Sequence, residues 1–256
     1  MTEETQPGLS LPPPVAEAPP IERLPDSPRQ RLRRWIKRGL WIVLVLIAWP
    51  VLLTLVYAFV NPPVSNVMIE RSLTGSGTTK TWVSLDQMSP WLAKAVVTSE
   101  DARFCDHHGV DWIEFGGVVQ DALDADEAPV RGASTIPMQT AKNLFLWDGR
   151  LFIRKGLEIP LALWMDLVWS KRRMLEIYLN IVEWAPGVYG AEAAAQHHFK
   201  KSAAKLSRRE AALLAAVLPN PIKRQAGKPS RGVSAIASRI MIRMSGMAPY
   251  LTCLGR

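Results

Sequence analysis

The chain has 256 residues, 48% of them hydrophobic, and carries a net charge of +8 with a pI near 9.7. That length holds one sizeable domain with appendages, and the basic balance favours an anionic partner such as nucleic acid, anionic lipid or a phosphorylated substrate. Zinc-finger spacing, RNA-binding aromatic signatures and heptads are lacking, which sets nucleic acid aside. Cys105 and Cys253 are too few for a disulfide framework, and sequence leaves open whether they pair.

Residues 1–28 contain eight prolines together with Glu3, Glu4, Glu17, Glu22 and Asp26. Such a segment buries too little apolar surface to offset its ordering entropy, so disorder is expected. Arg29, Arg31, Arg33, Arg34, Lys37 and Arg38 follow with no acid among them. Leu40 to Val60 is then a run of 21 residues without a charge. At 1.5 Å per residue it extends about 31 Å, the thickness of a hydrocarbon core. Trp41 and Tyr57 lie near its two ends, where amphipathic rings are favoured, and Pro50 is tolerated in a membrane helix. A cleaved signal peptide competes with this reading. The run is too long for one, starts too far from Met1, and is followed by Asn61-Pro62-Pro63 without an Ala-x-Ala-like site. The expected organisation is a disordered and basic cytoplasmic tail over 1–38, a transmembrane helix over 39–60, and all that follows outside the cytoplasm.

Residues 61–88 read as a linker with an extended lead-in or short hairpin around Gly75-Ser76-Gly77. The domain proper is assigned to 89–250. Ser89 is placed as N-cap and Pro90 at the first helical position of a helix with Leu92, Ala95 and Val96 on its apolar face. Glu100 ends that helix, where an apolar element gives way to Asp101-Ala102-Arg103-Phe104. A carboxylate so placed suits acid or base work, because partial desolvation raises its pKa. The plainer reading is a solvated Glu-Asp pair. Trp112–Leu123 is amphipathic, with Trp112, Phe115, Val118 and Val119 on one side, and suits either the core or a bilayer interface.

Residues 124–133 read as a loop. Ser134 or Thr135 then caps a helix with Pro137 in its first turn, and Gln139, Lys142 and Asn143 share one face. Amides read hydroxyls and lysine meets phosphate, so that face suits a sugar phosphate as well as it suits solvent. Arg150, Arg154 and Lys155 precede Glu158 on a strongly apolar element. As a surface pair, Arg154–Glu158 is worth only about 0.3–0.5 kcal/mol, so three cations there are better explained by a bound anion. Pro160 should distort the helix near Glu158. Helices follow from Ser170 to Asn180, through the Ala-rich segment ending near His197, and from a capping box at Ser207–Glu210 to Val217, with a loop at Glu183–Gly190. The His107-His108 and His197-His198 pairs lack the spaced partners a metal site needs.

Taken in order, four motifs resemble those of the glycosyltransferase domain of bacterial cell-wall synthesis, in particular the monofunctional biosynthetic peptidoglycan transglycosylases. They are Glu100-Asp101-x-x-Phe104-x-x-His107-x-Gly109, Gly132-Ala133-Ser134-Thr135-Ile136-x-x-Gln139-x-x-Lys142-Asn143, Arg154-Lys155-x-x-Glu158, and Lys171-x-x-x-Leu175-Glu176-x-Tyr178-Leu179-Asn180. The resemblance covers roughly residues 80–245 and implies a mainly α, lysozyme-like domain behind a single membrane helix. It implies an enzyme of the inner membrane, with an extracytoplasmic catalytic domain, that polymerises lipid II on undecaprenyl diphosphate into β-1,4 glycan with inversion. By position, Glu100 matches the general base and Glu158 the second carboxylate. Lys142, Arg150, Arg154 and Lys155 fall where the family binds diphosphate. Asp101, Ser134, Thr135, Gln139 and Asn143 fall along the substrate cleft. Magnesium or manganese is implied as a cofactor, with the Glu158 region its place although no ligand is assigned. Membrane lipids and other cell-wall synthases are the implied partners. Pro137-Met138 departs from the family pattern, where a further glutamine often precedes Gln139. No Ser-x-x-Lys transpeptidase domain follows, so transpeptidation is not expected.

Two other functions remain at this point. A lysozyme-like glycan-cleaving enzyme shares the fold and the helix-end glutamate, but acts on neutral bonds and has no use for Arg150, Arg154 and Lys155. An inactive cell-wall scaffold would be free to lose the two carboxylates and four basic residues that this chain retains.

Overall fold

The computed structural model describes residues 27–255 apart from 74, 76, 125–133, 148, 150 and 151. The expected disordered segment, most of the 124–133 loop and Arg150 therefore lie outside the described residues. By contacts the chain divides into Met1–Val45 and Leu46–Arg256.

Helix α1 spans Pro28–Tyr57 and crosses that division. Its apolar part has a mean hydropathy of 2.5 over an 18-residue window, long and apolar enough to cross a membrane. The helix begins inside the basic block, so Arg29–Arg38 are helical and not part of a disordered tail. No Gly or Pro interrupts the chain between Gln30 and Arg38, and helix once nucleated propagates into such a segment.

In the second unit the chain is mainly α. Helix α2 (Asn66–Leu73) replaces the expected extended lead-in. Val67 and Met68 are buried in the core, the Ser65 hydroxyl accepts from Met68 N at 3.3 Å, and Asn66 Nδ2 donates to the Phe145 carbonyl at 3.3 Å. Tertiary burial and side-chain caps here override a weak local signal. Strand β1 (Thr79–Lys80) runs parallel to β3 (Val188–Tyr189), which pairs antiparallel with β2 (Glu183–Ala185). The segment expected as a loop is thus a small hairpin. Gly187 turns it at φ +73°, and a Cβ there would sit 2.1 Å from the Gly77 carbonyl oxygen.

Helix α3 (Pro90–Glu100) is the central element, with Leu92, Ala95, Val96 and Val97 fully buried. Ser89 stands at its N-cap position, but its hydroxyl donates to the Leu206 carbonyl at 2.8 Å and does not cap. Helix α4 (Trp112–Asp124) and α5 (Ile136–Phe145) follow, then α6 (Phe152–Val168), α7 (Lys171–Ile181), α8 (Ala191–Phe199), α9 (Arg208–Val217) and α10 (Arg231–Met244). The Ala-rich α9 packs closely on both α3 and α10, while α5 packs on α6 and α7. Small side chains on α9 let the α3 backbone approach, which helps bury Leu92, Ala93 and residues 95–98. Pro160 does not break α6, which continues through it.

Two fastenings complete the unit. Thr54, in the last turns of α1, is buried, with Trp164 Nε1 donating to its hydroxyl at 2.6 Å and Trp169 Nε1 to its carbonyl at 2.7 Å. Arg173 donates to the carbonyls of Tyr57 at 3.0 Å and Val60 at 2.9 Å, meeting acceptors that the helix end leaves unpaired. Cys105 and Cys253 form a disulfide with Cα atoms 5.6 Å apart, which joins the segment after α3 to the C-terminal 3-10 turn (Ala248–Leu254).

Candidate active site

Helix α3 ends by delivering Glu100 to a cleft of about 560 Å³, whose lining includes Ser99, Asp101, Arg103, Glu114, Ser134 and Arg243. Burial pushes the Glu100 carboxyl above its ordinary range. The N–H of Gln139 and the hydroxyl of Ser99 pull it back, the neighbouring Asp101 charge raises it again, and Arg224 lowers it. Gln139 Nε2 donates to Glu100 Oε2 at 3.1 Å, and Ser99 Oγ lies 3.4 Å from Oε1. A recessed carboxylate of raised pKa, opening on a cleft, has the disposition of a general base.

Some residues around it both face the cleft and build it. Asp101 accepts from Ile136 N at 2.9 Å through one oxygen and meets His107 Nε2 at 2.8 Å through the other. It thus serves an unpaired N–H at the α5 start and places negative charge there. Thr135 caps the same helix, accepting from Met138 N at 3.3 Å and donating to the Gly109 carbonyl at 2.7 Å. Both residues line the cleft, where the sequence placed them, and both also hold α5 to the segment after α3. Ser134 lies on the cleft wall with no such engagement among the described residues. Asn143 is buried and donates to the Gln139 carbonyl on its own helix at 2.8 Å.

The second carboxylate lies on α6. Glu158 is only 2% exposed, paired with Arg154 one turn before it and with Lys155 Nζ at 3.5 Å. The Arg154 side chain is itself largely buried, which rules out the surface-pair reading already disfavoured by its apolar surroundings in sequence. Glu158, Arg154, Lys155 and Lys142 do not line the cleft at Glu100. The two groups are linked through packing instead. Met138 of α5, Val110 and Ala162 of α6 form one buried cluster, and Gly109 lies so close that a Cβ would be 2.6 Å from the Ala162 carbonyl oxygen. Ala162 is one turn beyond Glu158, so the segment carrying the first motif rests directly on the helix carrying the third.

A divalent cation at Glu158 does not fit the donor set. Its carboxylate is already met by two cations, and no group of three His, Cys, Asp or Glu side chains able to hold a metal occurs among the described residues. Helix α4 also departs from a core element. Trp112 is 56% and Ile113 66% exposed, so its first turn faces outward.

Several residues near Glu100 carry no local sequence signal for the role. Arg224 donates to the Ala216 carbonyl at 2.9 Å near the end of α9, and its charge acts on Glu100. Arg103, paired with Asp111 at 3.6 Å, and Arg243 of α10 put further positive charge on the cleft wall. Tyr178 donates to Gln139 Oε1 at 2.9 Å; the sequence placed it in the fourth motif but gave no sign of this partner.

Comparison with known proteins bears on this arrangement. A family description, transglycosylase, matches residues 66–245. The chain is 55% identical over 224 residues to a biosynthetic peptidoglycan transglycosylase of Agrobacterium fabrum, covering 87% of this chain and 98% of that protein. It is 54% identical over 229 residues to a protein of the same name from Mesorhizobium japonicum, covering 88% and 96%. A third, from Brucella suis, is 52% identical over 218 residues, covering 84% and 96%.

Proposed function

This chain belongs to the transglycosylase family of lysozyme-like peptidoglycan glycosyltransferases, and on that premise we propose that it polymerises lipid II into β-1,4 glycan strands at the outer face of the inner membrane. Glu100 is the general base. It takes the proton of the acceptor sugar 4-hydroxyl as that oxygen bonds to the donor anomeric carbon. The bond from that carbon to undecaprenyl diphosphate breaks on the opposite side, inverting the α-linkage. The observation that carries this assignment is the recessed, raised-pKa carboxylate opening on the cleft. A positioned base of this kind contributes typically 10²–10⁴-fold.

Arg154 and Lys155, oriented by Glu158, meet the negative charge that gathers on the diphosphate, with Lys142 and Arg150 in the same role. Preorganised cations at a departing diphosphate lower the barrier by several kcal/mol. Ser134, on the cleft wall, contacts a sugar hydroxyl, and Gln139 acts through its hydrogen bond to Glu100.

The apolar α1, the disulfide and the outward Trp112 and Ile113 support a single-pass anchor with a cytoplasmic N-terminus. Disulfides persist in oxidising compartments, and an exposed Trp-Ile pair suits a bilayer surface. The substrate is itself lipid-borne.

The test supplies the full chain with lipid II in one arm and preformed cell wall in the other. Lipid II should be consumed with glycan formation, and Glu100→Gln should lose at least a hundredfold in rate while keeping its fold. Consumption of preformed wall with lipid II untouched would identify a hydrolase instead.

A further inference from the structure

The hydrogen-bond chain that ends on Glu100 begins at a residue to which the mechanism above gives no role. Tyr178 is fully buried in α7. A phenol so deep needs a partner, and it has one in Gln139 Oε1 at 2.9 Å. Burial, with the nearby Glu100 and Asp101 charges, holds its ionisation well above the ordinary phenol value, so the hydroxyl keeps its proton and donates. A carboxamide has a donor end and an acceptor end. With its oxygen drawn to Tyr178, its amino group faces the other way, where Glu100 Oε2 lies at 3.1 Å. Reversal of the amide would set a carbonyl oxygen against the carboxylate.

We propose that Tyr178 is a positioning residue for glycosyl transfer, its buried hydroxyl fixing the Gln139 amide so that an N–H meets the Glu100 carboxylate. This rests on Glu100 being the base. Donation to the amide oxygen also polarises the amide and makes its N–H a stronger donor. The other groups that face Glu100 are its neighbours Ser99 and Asp101 at the end of α3, and Arg224 from the turn after α9. Arg103, Glu114 and Arg243 stand on the cleft wall. Ser99, at 3.4 Å, is the weaker of the two direct contacts, so the amide is the principal support of the ionised base.

The experiment reads Glu100 without turnover. The full chain is placed in lipid nanodiscs with its glutamate carboxyls labelled with carbon-13. The Glu100 resonance is identified by its loss in Glu100→Gln and then titrated. Gln139→Leu, which has neither end of the amide, should raise the midpoint by about one pH unit, the scale of one hydrogen bond to a charged group. Tyr178→Phe should raise it by roughly half as much, because the amide remains but is neither held nor polarised. In the Gln139→Leu background Tyr178→Phe should add nothing. With lipid II, the acidic limb of kcat/KM should move by the same intervals and the rate at high pH should recover.

A tyrosine that only filled the core would lower thermal stability and rate at every pH and leave the midpoint in place. An unmoved midpoint in Tyr178→Phe, or additive shifts in the double variant, overturns the proposal. Were Tyr178→Phe to unfold, an unmoved midpoint in Gln139→Leu would overturn it alone. A wild type that titrates as described but ignores lipid II would refute the substrate and leave the positioning role standing.

Discussion

At the scale of single residues, Glu100 is in tension between fold and chemistry. Burial raises its carboxyl pKa, so the folded protein holds that proton more tightly than the unfolded chain does. A raised acid stabilises the fold fully only below its unfolded pKa, and that contribution is lost as pH rises through the folded value. Ionised Glu100 therefore destabilises the protein at neutral pH, where the base must be ionised to work. Glu100→Gln is accordingly expected to melt at a higher temperature than wild type near neutrality, with the difference closing toward about pH 4. Thermal melts across pH check this, and a variant less stable than wild type at neutrality would contradict it. The same property predicts that wild-type activity falls as acid protonates the base. Asp101 and Thr135 show the converse case at this scale. Both line the cleft as their place in the motif suggested, and each also serves an α5 N–H, since the first N–H groups of a helix need partners wherever the sequence can supply them.

At the scale of elements, the site depends on how closely the segment after α3 approaches α6. Gly109 adopts φ +77°, and a Cβ there would lie 2.6 Å from the Ala162 carbonyl oxygen and 2.9 Å from the Leu163 Cα. Gly109→Ala meets both an unfavourable backbone conformation and a backbone that cannot swing aside. Its expected cost is about 1–3 kcal/mol for the conformation alone, with more from the contact. Chemical denaturation should show that loss, and the activity loss should exceed it, because the first motif would lift from the helix that carries Glu158. An alanine variant of wild-type stability would show that the approach is not needed. Lys171 at the start of α7 reinforces the same join, donating to the His107 carbonyl at 2.5 Å and pairing with Asp166 of α6 at 2.7 Å.

At the scale of the whole molecule, the second unit is closed by a disulfide between residues 148 apart in sequence. A cross-link over so long a loop removes much of the freedom of the unfolded chain. The chain-entropy account gives about 5 kcal/mol, with measured native disulfides nearer 2–5 kcal/mol. Cys253→Ser should lower denaturation stability on that scale in oxidising buffer, and reductant should bring wild type down to the variant. If reductant leaves wild type unchanged, the cross-link does not form in solution.

Much of the fold was readable along the chain because its signals are local. The apolar run of α1, the Pro90 start of α3, the Ser207–Glu210 capping box and the Arg154–Glu158 spacing each depend on residues within a few turns of one another, where helix geometry alone dictates who meets whom. The mainly helical architecture and the cations one turn from Glu158 were legible for that reason, whereas the roles of the two carboxylates came from the order of the motifs and not from local geometry. What tertiary structure alone decided involves partners far apart in sequence. It turned the lead-in at Asn66–Leu73 into a helix, joined Cys105 to Cys253, buried Glu158 with its guanidinium partner, brought Arg224 to Glu100 and hung Gln139 from Tyr178. Such outcomes are set by burial and by the rule that buried polar groups find partners, and neither can be evaluated until the chain has folded back on itself.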